Sequence, residues 1–155
     1  MATNNAINLQ GPTPAFRVYT NAGHSNLTGD GTLAKWPCEG VSYDTTSSVA
    51  SSIFTVPVAG VYNFNGQIFI VGLTSSHTAG NAYYSINGAT TDDLFRLNTW
   101  ACSNNGYLCI PFSQDFSLAV GNTVQLKVEV YNGTKVATTT NSYPTIFCGR
   151  LIALI

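Results

Sequence analysis

The stretch from Phe54 to Phe64, FTVPVAGVYNF, constrains the fold more than any other part of the chain. Large apolar residues fall two apart on both sides of a Pro/Gly interruption: Phe54, Val56 and Val58 before it, Tyr62 and Phe64 after it. Side chains alternate between the faces of a strand, so each half can rest one face on a core while Thr55, Asn63 and Asn65 point elsewhere. Pro57 cannot donate to a sheet ladder, and Gly60 reads as the residue that gives a turn its positive φ. The stretch therefore predicts two strands around a turn at the edge of a β-sandwich.

The same pattern runs through the rest of the chain. Strands are expected at 15–20, 41–43, 52–58, 61–73, 82–86, 94–101, 107–112, 116–120, 123–131 and 145–154, separated by Gly, Asn or Ser clusters, with hardly any helix. About ten short strands at this spacing predict an all-β fold of two packed antiparallel sheets. Residues 21–40 and 133–142 read as polar surface loops. Residues 1–14, rich in Asn and Thr, read as an arm with too little apolar surface to fold alone, leaving 15–155 as a single domain large enough to bury a core without disulfides.

Several short signatures recur in order: Ala15-Phe16, Tyr43-Asp44, the Phe54–Phe64 run, Ile86-Asn87-Gly88, Leu118 to Val124, and the Gly149-Arg150-Leu151 ending. In order and spacing they resemble the globular-head domain of complement and tumour-necrosis-factor-like proteins, over roughly residues 15 to 154. The resemblance implies a jelly-roll sandwich that assembles as a homotrimer, each copy giving the exposed face of its inner sheet to the axis. On that mapping Tyr62 and Phe64 face the core. Asn63, Asn65, Gln67 and Phe69 face the trimer axis, and Phe147 matches an axis-facing aromatic position. An axis carrying Asn63 and Asn65 is more polar than the family's usual aromatic one. Animal members of the family usually carry a secretory leader, and complement-type members a Gly-X-Y stalk; neither pattern is visible in this sequence.

Charge excludes more than it identifies. Charged residues make up 8% of the chain, against roughly 25% in ordinary soluble domains, so the surface must be rich in amides and hydroxyls. Six Lys+Arg against seven Asp+Glu leave a net charge of −1, which offers no footprint for a phosphate backbone or an anionic membrane. No nucleic-acid or membrane partner is expected. Few like charges oppose close packing of copies.

Candidates for chemistry are few. Cys102 and Cys109 bracket Asn104-Asn105-Gly106; a two-residue hairpin centred on Asn105-Gly106 would set them opposite each other, and a disulfide between them is one reading. Reduced thiols are the other, because that register holds the Cβ atoms farther apart than a bridge prefers, and the resemblance implies a crossover between sheets at this connection. Cys38 and Cys148 read as small buried apolar residues. His24 and His77 lie in Gly/Ser/Asn-rich loops, where a solvated imidazole is expected, and no local pattern supplies a nucleophile and an orienting carboxylate. Thr90-Thr91-Asp92-Asp93 reads as a solvated turn, not a calcium loop. No cofactor or metal is expected, and no enzymatic activity. Asn26-Leu27-Thr28 and Asn132-Gly133-Thr134 match the glycosylation pattern, without a visible leader to give it meaning. Of the aromatics Trp36, Trp100 and Tyr143, which could form a sugar platform, the two tryptophans are expected to bury.

The functional expectation is a trimeric structural protein of a phage-type virion. It would sit on the outer capsid surface as a decoration or cement protein, with the major capsid protein as partner. The alternative is a recognition head for a receptor or glycan, at a fibre tip or secreted outside the cell.

Overall fold

The computed structural model describes residues 11–96 and 106–155. Their eleven strands are β1 (Ala15–Tyr19), β2 (Ala34–Lys35), β3 (Gly40–Asp44), β4 (Val49–Ala50), β5 (Ile53–Thr55), β6 (Gly60–Ile70), β7 (Ala79–Ile86), β8 (Ala89–Arg96), β9 (Leu108–Leu118), β10 (Thr123–Tyr131) and β11 (Ile146–Leu154). A five-stranded sheet runs β3-β1-β11-β6-β9. A six-stranded sheet runs β4-β5-β10-β7-β8, with β2 beside β10. The named strand pairs are all antiparallel.

Alternation decides which side of each sheet faces inward. On β6, Tyr62, Phe64, Ile68 and Ile70 are buried, while Asn63, Asn65, Gln67 and Phe69 lie on the other face. On β10, Val124, Leu126, Val128 and Val130 are buried between polar neighbours. Phe16, Phe54, Phe64, Tyr84 and Phe147 fill the space between the sheets, with Phe16 4.7 Å from Phe54 and 5.0 Å from Phe147, centroid to centroid. Tyr84 also ties the sheets together through its hydroxyl, which donates to the Phe64 carbonyl at 3.2 Å. Trp36 is fully buried, as expected, and its indole N–H donates to Thr145 Oγ1 at 2.9 Å; Trp100 lies outside the described residues.

The Phe54–Phe64 run is not a hairpin. Its first half, β5, belongs to the six-stranded sheet and its second half, β6, to the five-stranded sheet, so the Pro/Gly interruption carries the chain across the end of the sandwich. Gly60 is not a turn residue with positive φ. It begins β6, where an added Cβ would stand 2.4 Å from the Ala153 carbonyl oxygen and 2.4 Å from Leu151 Cδ1. Close approach to β11, not turn freedom, requires glycine there.

Other boundaries shift for identifiable reasons. The strands expected at 107–112 and 116–120 are one continuous strand, β9, which contains Pro111. β9 is an edge strand, and the unpaired side of an edge tolerates a residue without N–H. Asn87 and Gly88 both have positive φ, 53° and 84°, the geometry of a two-residue hairpin turn whose twist suits the flanking strands. β8 therefore starts at Ala89, and Thr90 to Asp93 lie within it, not in a turn. The loops at 21–40 and 133–142 are not wholly superficial: Thr28, Trp36, Cys38, Ala137 and Thr139 are buried within them. Thr13 and Pro14 are tied to the sandwich, their carbonyls accepting bonds from Thr45 Oγ1 and the Leu151 N–H, and residues 1–10 of the expected arm lie outside the described residues.

Candidate subunit interface

The outer face of the five-stranded sheet collects the residues that the sequence assigns to the axis, with one exception. Asn63, Asn65, Gln67 and Phe69 occupy alternate positions of β6 on this face, each partly exposed. Phe147 does not. It is 1% exposed and points into the core, with rings of Phe16, Phe64, Phe112 and Tyr84 within 6.5 Å. The reason is register: Phe147 is paired with Val18 and Gly66, and the outward positions of β11 fall on Ile146, Cys148 and Arg150.

Cross-strand pairing arranges the face in rows. Arg150, Asn63 and Asp115 form one row across β11, β6 and β9; Tyr43, Arg17, Cys148, Asn65 and Ser113 form the next; Tyr19, Ile146, Gln67 and Pro111 form a third. The amides in the middle already have partners within the chain. Asn65 Nδ2 donates to Asn63 Oδ1 at 2.9 Å, Asn63 Nδ2 donates to Asp115 Oδ1 at 2.7 Å, and Gln67 Nε2 donates to the Pro144 carbonyl at 3.1 Å. Such a ladder fixes side-chain positions before any partner arrives, which lowers the entropy lost on contact.

Apolar area sits at the two edges instead. Beside β9, Phe69 stacks on Tyr143 at 5.1 Å and meets Tyr107 at 5.9 Å, and the two tyrosines lie 5.6 Å apart. At the opposite edge, β3 presents Val41 and Tyr43, 54% and 49% exposed. Between the edges lies a cavity of about 210 Å³ lined by Tyr43, Asn65, Cys148, Gly149 and Arg150. Of these residues the sequence reading named only Asn65 for the face. The strand parity of β1 and β11 was the available signal for Arg17, Cys148 and Arg150, once Phe147 is placed inward.

The thiols differ in setting. Cys38 is buried, and burial pushes its thiol up to about 12. Cys148 is not the core residue expected: it is half-buried on the outer face, its thiol raised by burial and drawn back by Arg17. Cys109 is an exposed free thiol on β9 that donates to Gln67 Oε1 at 3.7 Å, and Cys102 lies outside the described residues.

The two histidines sit in separate settings. His24 faces Glu39, with Nε2 2.8 Å from the carboxylate. His77, expected in solvent, is fully buried; its Nδ1 accepts the Thr74 N–H at 2.9 Å while Nε2 faces the Thr134 carbonyl at 3.0 Å. With the proton on Nε2 both nitrogens are satisfied, and the ring joins the 71–78 loop to the 132–136 loop. Among the described residues no three His, Cys, Asp or Glu side chains gather as metal ligands, and no helix is long and apolar enough to cross a membrane.

The remaining polar cluster is on the outer face of the other sheet. Glu129 of β10 accepts bonds from Asn81 Nδ2 at 2.9 Å and from the Tyr83 hydroxyl. Burial pulls this carboxyl upward, but bonds from Tyr131, Tyr83 and Asn81 outweigh it and leave it below its ordinary value.

Two antiparallel sheets in this order, with a patterned outer face on one of them, define a jelly-roll sandwich. The fold is that of complement and tumour-necrosis-factor-like proteins. The globular domain of zebrafish complement 1qA protein superposes with a TM-score of 0.60 at 18% identity, covering 92% of this chain and 99% of that one. Murine APRIL superposes at 0.60 and 15% identity, covering 91% and 100%. No protein-family model and no curated protein matches the sequence.

Proposed function

We propose that this chain is a homotrimeric, non-enzymatic head that works by surface contact, and that it decorates the outer surface of a virion by clamping neighbouring copies of the major capsid protein. The observation that carries the trimer is the asymmetry of the five-stranded sheet's outer face. A three-fold ring is built from heterologous contacts, in which one patch meets a different patch on the next copy. The face is unlike from side to side, with the Phe69, Tyr107 and Tyr143 cluster near the start of β9 and Val41 and Tyr43 on β3, so it offers different surfaces for such contacts. The likeness to complement and tumour-necrosis-factor-like domains of this fold also supports self-association.

Decoration is supported by the charge-poor, amide-rich surface, suited to many small neutral contacts, and by the polar N-terminal sequence, which has little to bury on its own account. The second reading, a recognition head outside the cell, is favoured by the Glu129, Asn81 and Tyr83 cluster. That cluster lies on the opposite sheet and stays open to solvent when the first sheet is covered.

Sedimentation of the purified chain, followed by binding to capsids stripped of this protein, tests the reading. A trimer that binds such capsids and raises their melting temperature is expected. Deleting residues 2–10 should leave the trimer and its melting temperature intact and weaken attachment. A trimer that binds cell-surface glycans and no capsid would transfer the role to recognition, and a monomer at all concentrations would end the trimeric reading.

A further inference from the structure

The outer face of the five-stranded sheet separates its charges by edge. Arg17 on β1 and Arg150 on β11, two of the six cationic side chains in the chain, lie on one half of it, and Asp115 lies on β9 at the other. Among the described residues neither guanidinium comes within ion-pair distance of a carboxylate. Asp115 is held through Oδ1 by Asn63 Nδ2 at 2.7 Å, so its carboxylate has a set position at the sheet's edge while Oδ2 takes no part in that bond. Arg150 borders the cavity of about 210 Å³, whose other walls are Tyr43, Asn65, Cys148 and Gly149.

We propose that Asp115 of one protomer enters this cavity on the next and pairs with Arg150, giving three identical ion pairs around the ring. The inference rests on the trimeric reading above and names the contact that gives the ring its register.

Two arguments select this pair. The first is symmetry. Rotation about an axis keeps every group at its own height, so where strands run along the axis, residues of one row meet residues of the same row on the neighbour. Arg150 and Asp115 share a row, separated by Asn63; Arg17 shares its row with Ser113. The second is charge. Within one protomer Arg150 and Asp115 are two strands apart, about 9.5 Å between backbones, and Asn63 stands between them. Closing the ring without the acid would bring three Arg17 and three Arg150 side chains toward one axis. A carboxylate from the neighbour offsets that repulsion, and a guanidinium can take it with two parallel N–H···O bonds. The small polar cavity beside Arg150 gives the incoming side chain room. Wrong registers leave a guanidinium facing Ser113 or Pro111, which is how charged pairs enforce one arrangement over others.

A charge-reversal cycle read by sedimentation equilibrium tests the pairing, using the full chain as the parent alongside Asp115→Arg, Arg150→Asp and the double variant. Each single reversal is expected to weaken trimer assembly about tenfold or more at low salt, and the double variant to return to within about threefold of the parent. The effect should shrink at about 0.5 M salt, where screening acts over a few ångströms. Circular dichroism checks that each variant folds, and where a reversal does not, Asp115→Asn and Arg150→Gln carry the same cycle with milder changes. Single variants that assemble like a trimeric parent, or a double variant no better than the sum of the singles, would overturn the pairing and leave the trimer standing. A monomeric parent would overturn both.

Discussion

Replacing Phe147 by Ala separates a core aromatic from an axis aromatic. The side chain is 1% exposed and its ring lies 5.0 Å from Phe16, 5.7 Å from Phe64 and 6.3 Å from Phe112. Truncating a buried Phe removes its transfer free energy and leaves a cavity, together about 3–5 kcal/mol. Because both sheets contribute rings around it, the site cannot collapse without moving strands, so about 4 kcal/mol is a fair expectation. In a chain of this size that lowers the melting temperature by about 8–16 °C. Urea unfolding, monitored by near-ultraviolet circular dichroism at one fixed protomer concentration, measures it. Phe69→Ala is the control, because Phe69 lies on the outer face against Tyr143 and Tyr107. It should cost the fold about 1 kcal/mol and weaken assembly far more. The placement is refuted if Phe147→Ala unfolds within about 1 kcal/mol of the parent while losing the trimer.

Three further expectations follow from the geometry. Gly60→Ala forces a Cβ against the β11 backbone at 2.4 Å and should destabilise by about 1–3 kcal/mol; Gly11→Ala, with nothing within 4 Å, should fall within about 0.5 kcal/mol of the parent, and equal effects in the two would contradict the β6–β11 approach. At pH 8 a thiol reagent followed by peptide mass mapping should leave Cys38, whose thiol burial holds near 12, unlabelled until the chain is unfolded in urea; rapid labelling of Cys38 in native protein would count against a closed core. Glu129 has its folded carboxyl below the ordinary 4.5, so its contribution is present above that value and is lost as pH falls through the lower, folded one. Melting curves of Glu129→Gln and parent should therefore differ at neutral pH and converge in acid, and a gap that stays constant down to strongly acid pH would deny the Asn81 and Tyr83 bonds their role.

Much of the architecture was legible in strand parity. Tyr62, Phe64, Val124, Leu126 and Val128 announce their burial by alternation, and Asn63, Asn65 and Gln67 announce the opposite face, because a strand offers a side chain only two directions. Asn87-Gly88 was equally local: two residues that tolerate positive φ set the β7–β8 turn and with it the start of β8. What parity does not contain is which sheet a strand joins. The Phe54–Phe64 run alternates in the same way whether it turns back as a hairpin or crosses the sandwich, and only the pairing of β5 with β10 and of β6 with β11 and β9 distinguishes the two. For the same reason a continuous β9 through Pro111 depended on its edge position, and the glycine at 60 on the nearness of Ala153, 93 residues away in sequence. Phe147 shows the limit most clearly. Its alternation with Cys148 is visible in the sequence, but whether the aromatic or the thiol faces the core was decided by long-range register against Val18 and Gly66, since a shift of one residue exchanges the two faces of a strand.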